Sequence, residues 1–207
     1  MVCILALDPG GLHMGYAVYA DTPVGTRTVH TGTLDVTNGA GMKKVTTVQM
    51  AAAAVFARAW FAENGVFPDT TYIEWPYLSV TSTMSVDVSA KMHAFCGALY
   101  VLFPNAKAVP PRSVKGALGF PARCSYDQRK RLGARIGEAL AKTWGPVTAT
   151  EFAAMHAKPK QDAGDALIIL TWVLLGSPSL PNPDMLVARL AANLAQETTS
   201  PMETVQI

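Results

Sequence analysis

Residues Val2-Cys3-Ile4-Leu5-Ala6-Leu7 run without a polar break into Asp8-Pro9-Gly10-Gly11, and apolar character resumes at Gly15-Tyr16-Ala17-Val18-Tyr19. An uninterrupted apolar run of this length, stopped by Pro-Gly, predicts a strand buried on both faces. Such a strand needs covering layers above and below it. The return segment pairs with it as a hairpin. Asp8 closes the buried strand, where a carboxylate is held by a rigid element at the sheet edge. Asp-Pro-Gly is also an ordinary turn sequence. The stretch alone therefore fits either a plain hairpin or a carboxylate placed for chemistry.

Later segments supply the covering layers. Thr28 to Asp35 alternates and predicts a third, antiparallel edge strand. Lys43 to Asn64 carries Val45, Val48, Ala52, Val55, Phe56 and Ala59 at spacings of three and four and predicts one long helix, stopped by Asn64-Gly65. Thr70 to Pro76 is a strand that leads into Glu74 much as the first leads into Asp8. If the two strands are neighbours, both carboxylates reach one sheet edge; a surface glutamate at a strand end is the plain alternative. Tyr77 to Ser85 is polar and predicts a mobile loop.

Val86 to Phe103 predicts a second helix, with Val88, Met92, Phe95, Leu99 and Leu102 in a stripe and Ala90, Ala94, Gly97, Ala98 and Val101 on the other side. A helix apolar on more than one side is either deeply buried or lies in a subunit interface. Ala106 to Val109 predicts a short strand closed by two prolines, and Ser113 to Leu118 a helical turn or two carrying Lys115.

Ser125 is a good N-cap for a basic helix running to about Lys142, with Leu132, Ile136 and Leu140 inward and Arg129, Lys130, Arg131 and Arg135 outward. Gly145 to Thr148 reads as a loop before a short helix from Thr150 to Ala157. The last long helix opens around Lys158 and carries Asp162 and Asp165 on one face of its first turn, where a helix dipole favours negative charge. Capping alone would account for such a pair, but Asp165 leads straight into Ala166-Leu167-Ile168-Ile169-Leu170 and so lies near a buried face. Residues 1–180 are expected to form one domain and 181–207 an appended amphipathic helix (Leu186, Leu190, Leu194) with a disordered tail from Glu197.

Charge distribution narrows the partner. The 207 residues sum to only +2, yet Lys107 to Lys160 holds eleven basic and three acidic residues, a net +8 that leaves −6 on the rest. That asymmetry suggests a basic face and a polyanionic partner; a solvated helix surface is the plainer reading. Charged residues are 15% and hydrophobic ones 50%, which excludes general disorder. Cys3, Cys96 and Cys124 show neither a zinc spacing nor a disulfide framework, which fits a reduced intracellular compartment. No secretory signal stands at the start, and the apolar stretch Ala163 to Leu175 is too short to span a bilayer.

Four carboxylates thus stand out: Asp8, Glu74, Asp162 and Asp165. Brought together they repel one another unless cations sit among them. Hard oxygen donors suit Mg²⁺ or Mn²⁺, and two such ions about 4 Å apart are a known device for phosphodiester hydrolysis.

ILALDPGGLHMGYAVY (Ile4 to Tyr19), YIEWPY (Tyr72 to Tyr77), PRSVKGALGF (Pro111 to Phe120) and KQDAGDALIIL (Lys160 to Leu170) together resemble, in order and spacing, the motifs of RuvC-type Holliday junction resolvases of the RNase H-like superfamily. The resemblance spans roughly residues 2 to 175. It implies an RNase H-like α/β fold, a mixed five-stranded sheet with helices on both faces. It also implies a Mg²⁺-dependent endonuclease that resolves four-way DNA junctions by paired symmetric nicks. Asp8, Glu74, Asp162 and Asp165 would be the catalytic acids holding two Mg²⁺ ions, with Mn²⁺ as a substitute. Lys115 would aid catalysis near the scissile phosphate, and Tyr77 would stack on bases at the junction centre. Arg129, Lys130 and Arg131 would grip duplex arms, and Arg112, Lys158 and Lys160 are further candidates for phosphate contact. The Val86–Phe103 helix would pair two subunits into a homodimer. Bacterial cytoplasm or nucleoid, a host-cell compartment of viral DNA replication, or an organelle would each suit such an enzyme. Pro76 before Tyr77, the long Gly145–Lys160 segment and the C-terminal thirty or so residues depart from the family pattern. Another RNase H-like nuclease acting on RNA–DNA hybrids or branched or flap DNA, and a non-catalytic junction-binding protein, are the competing classes. His13, His30, His93 and His156 share no ligand spacing, although His156 lies six residues before Asp162 and within possible reach of it.

Overall fold

A computed structural model of the chain describes residues 2–10, 13–21, 26–37, 39, 44–76, 85–121 and 125–199. Five strands form one mixed sheet in the order β3-β2-β1-β4-β5. They are β1 (Val2–Pro9), β2 (His13–Asp21), β3 (Arg27–Asp35), β4 (Thr70–Glu74) and β5 (Ala106–Val109). The first three pair antiparallel, and β4 and β5 run parallel to β1. β1 is thus central, as its unbroken apolar run requires, with Leu5, Ala6 and Leu7 fully buried. The edge position expected for the third strand is the one it occupies.

Strand alternation sorts side chains into two cores. Leu5, Leu7, Met14, Val18 and Ile73 face helices α1 (Thr47–Glu63) and α2 (Val86–Leu102), meeting Met50, Phe61, Phe95 and Leu99. Ala6, Ala17, Tyr19 and Val29 face the opposite layer, built from α4 (Tyr126–Trp144), α5 (Pro146–Ala154), α6 (Ala157–Leu174) and α7 (Asp184–Thr199). Helix α3 (Pro111–Ala117) follows β5 and adds Val114 to that second core. The expected α/β fold, a mixed five-stranded sheet with helices on both faces, is the observed one.

Several boundaries differ from expectation. Helix α1 begins at Thr47 rather than Lys43, because Thr46 and Gln49 form a reciprocal capping box that sets its start. Residues 145–148 are not a loop: Gly145, at φ +127°, lets Pro146 begin α5 directly after α4. Proline costs nothing at the first helical position, where its missing N–H has no partner in any case. For the same reason Pro159 fits inside the first turn of α6, which starts at Ala157. Asp162 and Asp165 therefore sit in the second and third turns of α6, and its first turn carries no acid. Their presence is not explained by capping or by the helix dipole.

Helix α7 inserts Leu186 and Leu190 into the second core and continues to Thr199, past the point where a disordered tail was expected. The expected loop at 77–84 and the end of the tail, 200–207, lie outside the described residues. Among the described residues no helix is long and apolar enough to cross a membrane.

Candidate active site

Register brings the first two carboxylates together. In the parallel β1–β4 pair, Ala6 stands beside Tyr72 and Leu7 beside Ile73, so the next step of the ladder sets Asp8 beside Glu74. Alternation turns both toward the α6 face, since Ala6 and Tyr72, two residues earlier, both contact that core. Both lie at the carboxyl ends of parallel strands, the edge where α/β sheets carry their ligands.

Helix α6 brings the other two. Gly15 is the β2 partner of Asp8. A Cβ at Gly15 would collide with the backbone carbonyl of Asp162, so only glycine lets α6 lie this close to the sheet. A Cβ on Gly10 would stand 3.2 Å from Asp162 Oδ2, so Asp162 also presses against the turn that follows Asp8. Asp165, one helical turn further on, is 5% exposed.

Two lysines complete the cluster. Lys115 of α3 places its Nζ 3.3 Å from Asp165 Oδ2 and 3.9 Å from Glu74 Oε1. Lys130 of α4 places its Nζ 3.4 Å from Asp162 Oδ1 and 3.3 Å from Asp165 Oδ2. The expectation that Lys130 faces outward with Arg129 and Arg131 is therefore corrected: its neighbours are exposed, but its ammonium lies on the acids. Arg135 does face outward, where its guanidinium forms a two-pronged ion pair with Asp184 of α7 at 2.7 and 3.0 Å.

The electrostatics follow from burial. Desolvation, reinforced by Glu74 and Asp165, pushes the Asp8 carboxyl well above the usual range, and the Lys130 charge only partly opposes this. Desolvation also raises Asp162, against the charge and hydrogen bond of Lys130 and the weaker pull of His13. For Lys115, burial works against the charged form, but Glu74, Asp165 and Asp8 outweigh it and raise its pKa. Four carboxylates against two ammonium groups leave a formal charge of −2 in a largely desolvated cluster.

Of the other expected residues, Arg129, Arg131 and Lys158 are exposed, and Lys158 precedes Asp162 by one helical turn. Lys160 turns elsewhere, its Nζ 5.6 Å from the centre of the Phe152 ring. Tyr77 and the side chain of Arg112 lie outside the described residues. His156 stands at the N-cap position of α6 without a side-chain capping bond and is exposed; His13, at the start of β2, is the histidine whose charge bears on Asp162. Trp75 packs on α2, its ring centre 6.3 Å from that of His93 and 6.1 Å from that of Tyr100.

Sequence reasoning does not place two residues beside the cluster: Cys96, and Lys130, which it assigns to the duplex arms. Cys96 of α2 is fully buried and feels the charge of both Asp8 and Glu74. Nothing in its sequence context marks it. Lys130 carried a readable signal, since Lys130, Gly133 and Gly137 fall at i, i+3 and i+7 on one stripe of α4.

No family model matches the chain, and no curated protein matches it. Solved structures do. The yeast mitochondrial Holliday junction resolvase Ydc2 superposes with a TM-score of 0.56 at 13% identity, covering 94% of this chain and 83% of its own. The chain has the fold of the RuvC-type Holliday junction resolvases. Fowlpox virus resolvase, in a complex with substrate Holliday junction DNA, gives a TM-score of 0.51 at 14% identity, covering 84% of this chain and 99% of its own. RuvC of Thermus thermophilus, in complex with a Holliday junction substrate, gives 0.50 at 14% identity over 86% and 99%. The likeness to this resolvase fold extends across most of the chain.

Proposed function

We propose that the protein is a metal-dependent endonuclease that resolves four-way DNA junctions by paired symmetric nicks. The observation that carries this reading is the convergence of Asp8 and Glu74, matched in register at the ends of two parallel strands, with Asp162 and Asp165 of α6. It occurs on a fold whose solved examples include resolvases held with junction DNA.

The four acids suit Mg²⁺ or Mn²⁺ by donor type, being hard oxygen ligands with a residual negative charge. As the side chains lie, no three potential ligands among the described residues share a single coordination point. Lys115 and Lys130 stand between the carboxylates instead. Binding of ions at Asp8, Glu74, Asp162 and Asp165 therefore involves movement of these ammonium groups. Two bound ions would supply the charge that activates water and stabilises the departing 3′-oxygen, leaving a 5′-phosphate and a 3′-hydroxyl. Lys115, held by Glu74 and Asp165, is placed to meet a phosphate oxygen once it is released from them. Arg129, Arg131 and Lys158 present exposed cations on the helices that carry Lys130 and Asp162, and these suit the phosphate backbone of duplex arms. Tyr77 follows Glu74 by three residues, and by its resemblance to the family's aromatic position it would stack on bases at the junction centre.

A four-way junction has two equivalent strands to cut, so a two-fold dimer is the simplest nuclease for it. Helix α2 offers a surface for pairing. Val101 is 83% exposed, and a Cβ on Gly97 would meet open space. Absence of a dimer in sedimentation analysis would remove this part of the reading.

The direct test is Asp8→Asn. Cutting of a four-way junction is expected to be abolished while junction affinity, measured by gel shift without divalent ions, is retained. Loss of binding in a correctly folded variant would contradict the catalytic role.

A further inference from the structure

Lys130 is held against the acids by an unusually close helix crossing. A Cβ on Gly137 of α4 would stand 2.6 Å from the Gly164 Cα of α6, and one on Gly133 would stand 3.0 Å from Asp165 Oδ1. A side chain at Gly137 would force the helices apart, and one at Gly133 would crowd the Asp165 carboxylate. Their absence lets α4 lie low enough for Lys130, on the same stripe, to bridge Asp162 at 3.4 Å and Asp165 at 3.3 Å. An ammonium on a flexible stem is a compact charge without a fixed donor geometry. It can satisfy two carboxylates and can also leave them.

We propose that Lys130 is a positioning residue that serves as an internal counter-cation: its ammonium holds Asp162 and Asp165 in the ion-free protein and is displaced when a divalent ion binds there. The proposal rests on the metal-site reading above. Lysine and ion compete for the same oxygens. Removing the lysine charge therefore loosens the ion-free protein and tightens ion binding. A purely structural lysine would do only the first, and a lysine used only for phosphate contact would do neither.

Mn²⁺ titration calorimetry on the wild type, Lys130→Met and Lys130→Arg tests this, alongside melting temperatures in EDTA and in Mn²⁺. Methionine keeps much of the stem and removes the charge. Lys130→Met is expected to bind Mn²⁺ about tenfold more tightly than the wild type, because no ammonium has to be displaced from the carboxylates. It should melt lower in EDTA and recover in Mn²⁺, while Lys130→Arg should return the affinity toward wild type. Should Lys130→Met fail to fold, Lys130→Gln replaces it with the same expected tightening. Wild-type or weaker Mn²⁺ affinity in a folded uncharged variant overturns the proposal. Absence of Mn²⁺ binding by both the wild type and the uncharged variant overturns the metal-site reading instead.

Discussion

Cys96 lies on the opposite side of the sheet from Asp162 and Asp165 yet senses the charge on Asp8 and Glu74. Burial first, and these two carboxylates next, push its thiol up to about 12. Nucleophilic reaction needs the thiolate. Cys96 is therefore expected to resist iodoacetamide at pH 8 in the native protein and to react once the chain is denatured, as read by peptide mass spectrometry. Native labelling would mean that the sheet opens beneath the site. The acids themselves are legible in the sequence, because Asp8 closes an apolar run, Glu74 closes a run of β-branched and aromatic residues, and Asp165 leads into an apolar run. The inward turn of Lys130 was not foreseen. The hydrophobic positions of its helix mark one inward face, whereas Gly133 and Gly137 define a second one against α6. Glycine carries no hydropathy signal, so a face made for close approach looks neutral.

Among the elements, α5 has a use that hydrophobic patterning does not disclose. β3 is a sheet edge, and unpaired edge groups invite association with other strands. Two of them are covered from α5: the Thr148 hydroxyl donates to the Val29 carbonyl at 2.5 Å, and Glu151 Oε2 accepts from the Thr31 N–H at 2.9 Å. Glu151 Oε1 also lies 2.7 Å from His30 Nδ1. Glu151→Ala is expected to cost about 1–3 kcal/mol in urea denaturation, since it orphans a largely buried donor. It should also raise light scattering at high protein concentration. An unchanged midpoint and scattering would show the cap to be incidental. Sequence alone suggests a loop at the start of this helix, because Pro146 follows Gly145. Proline breaks a helix interior but begins a helix well, and only the neighbouring turn decides which. The strands are legible because β1 is an unbroken apolar run and β4 a β-branched and aromatic one, and α2 is legible because Met92, Phe95 and Leu99 keep helical spacing on a buried face.

The whole molecule separates its tasks between the two faces of the sheet. One face packs α1 and α2, with α2 leaving Val101 exposed. The other packs α4 to α7 and carries the acids together with the strongly basic stretch of chain. If α4 grips duplex DNA, each lost phosphate contact removes about 0.9 from the slope of log affinity against log salt. Replacing both Arg129 and Arg131 with alanine should therefore flatten that slope by about 2 for a four-way junction. An unchanged slope would move the DNA path away from α4. The central claim is that the fold and its acid cluster cut branched DNA. Its most direct test is incubation of the purified protein with an immobile four-way junction and Mg²⁺ or Mn²⁺, beside a linear duplex and an RNA–DNA hybrid. Symmetrically paired nicks near the branch point, absent from both controls, are the predicted result. Cleavage of the hybrid with the junction left intact would contradict it.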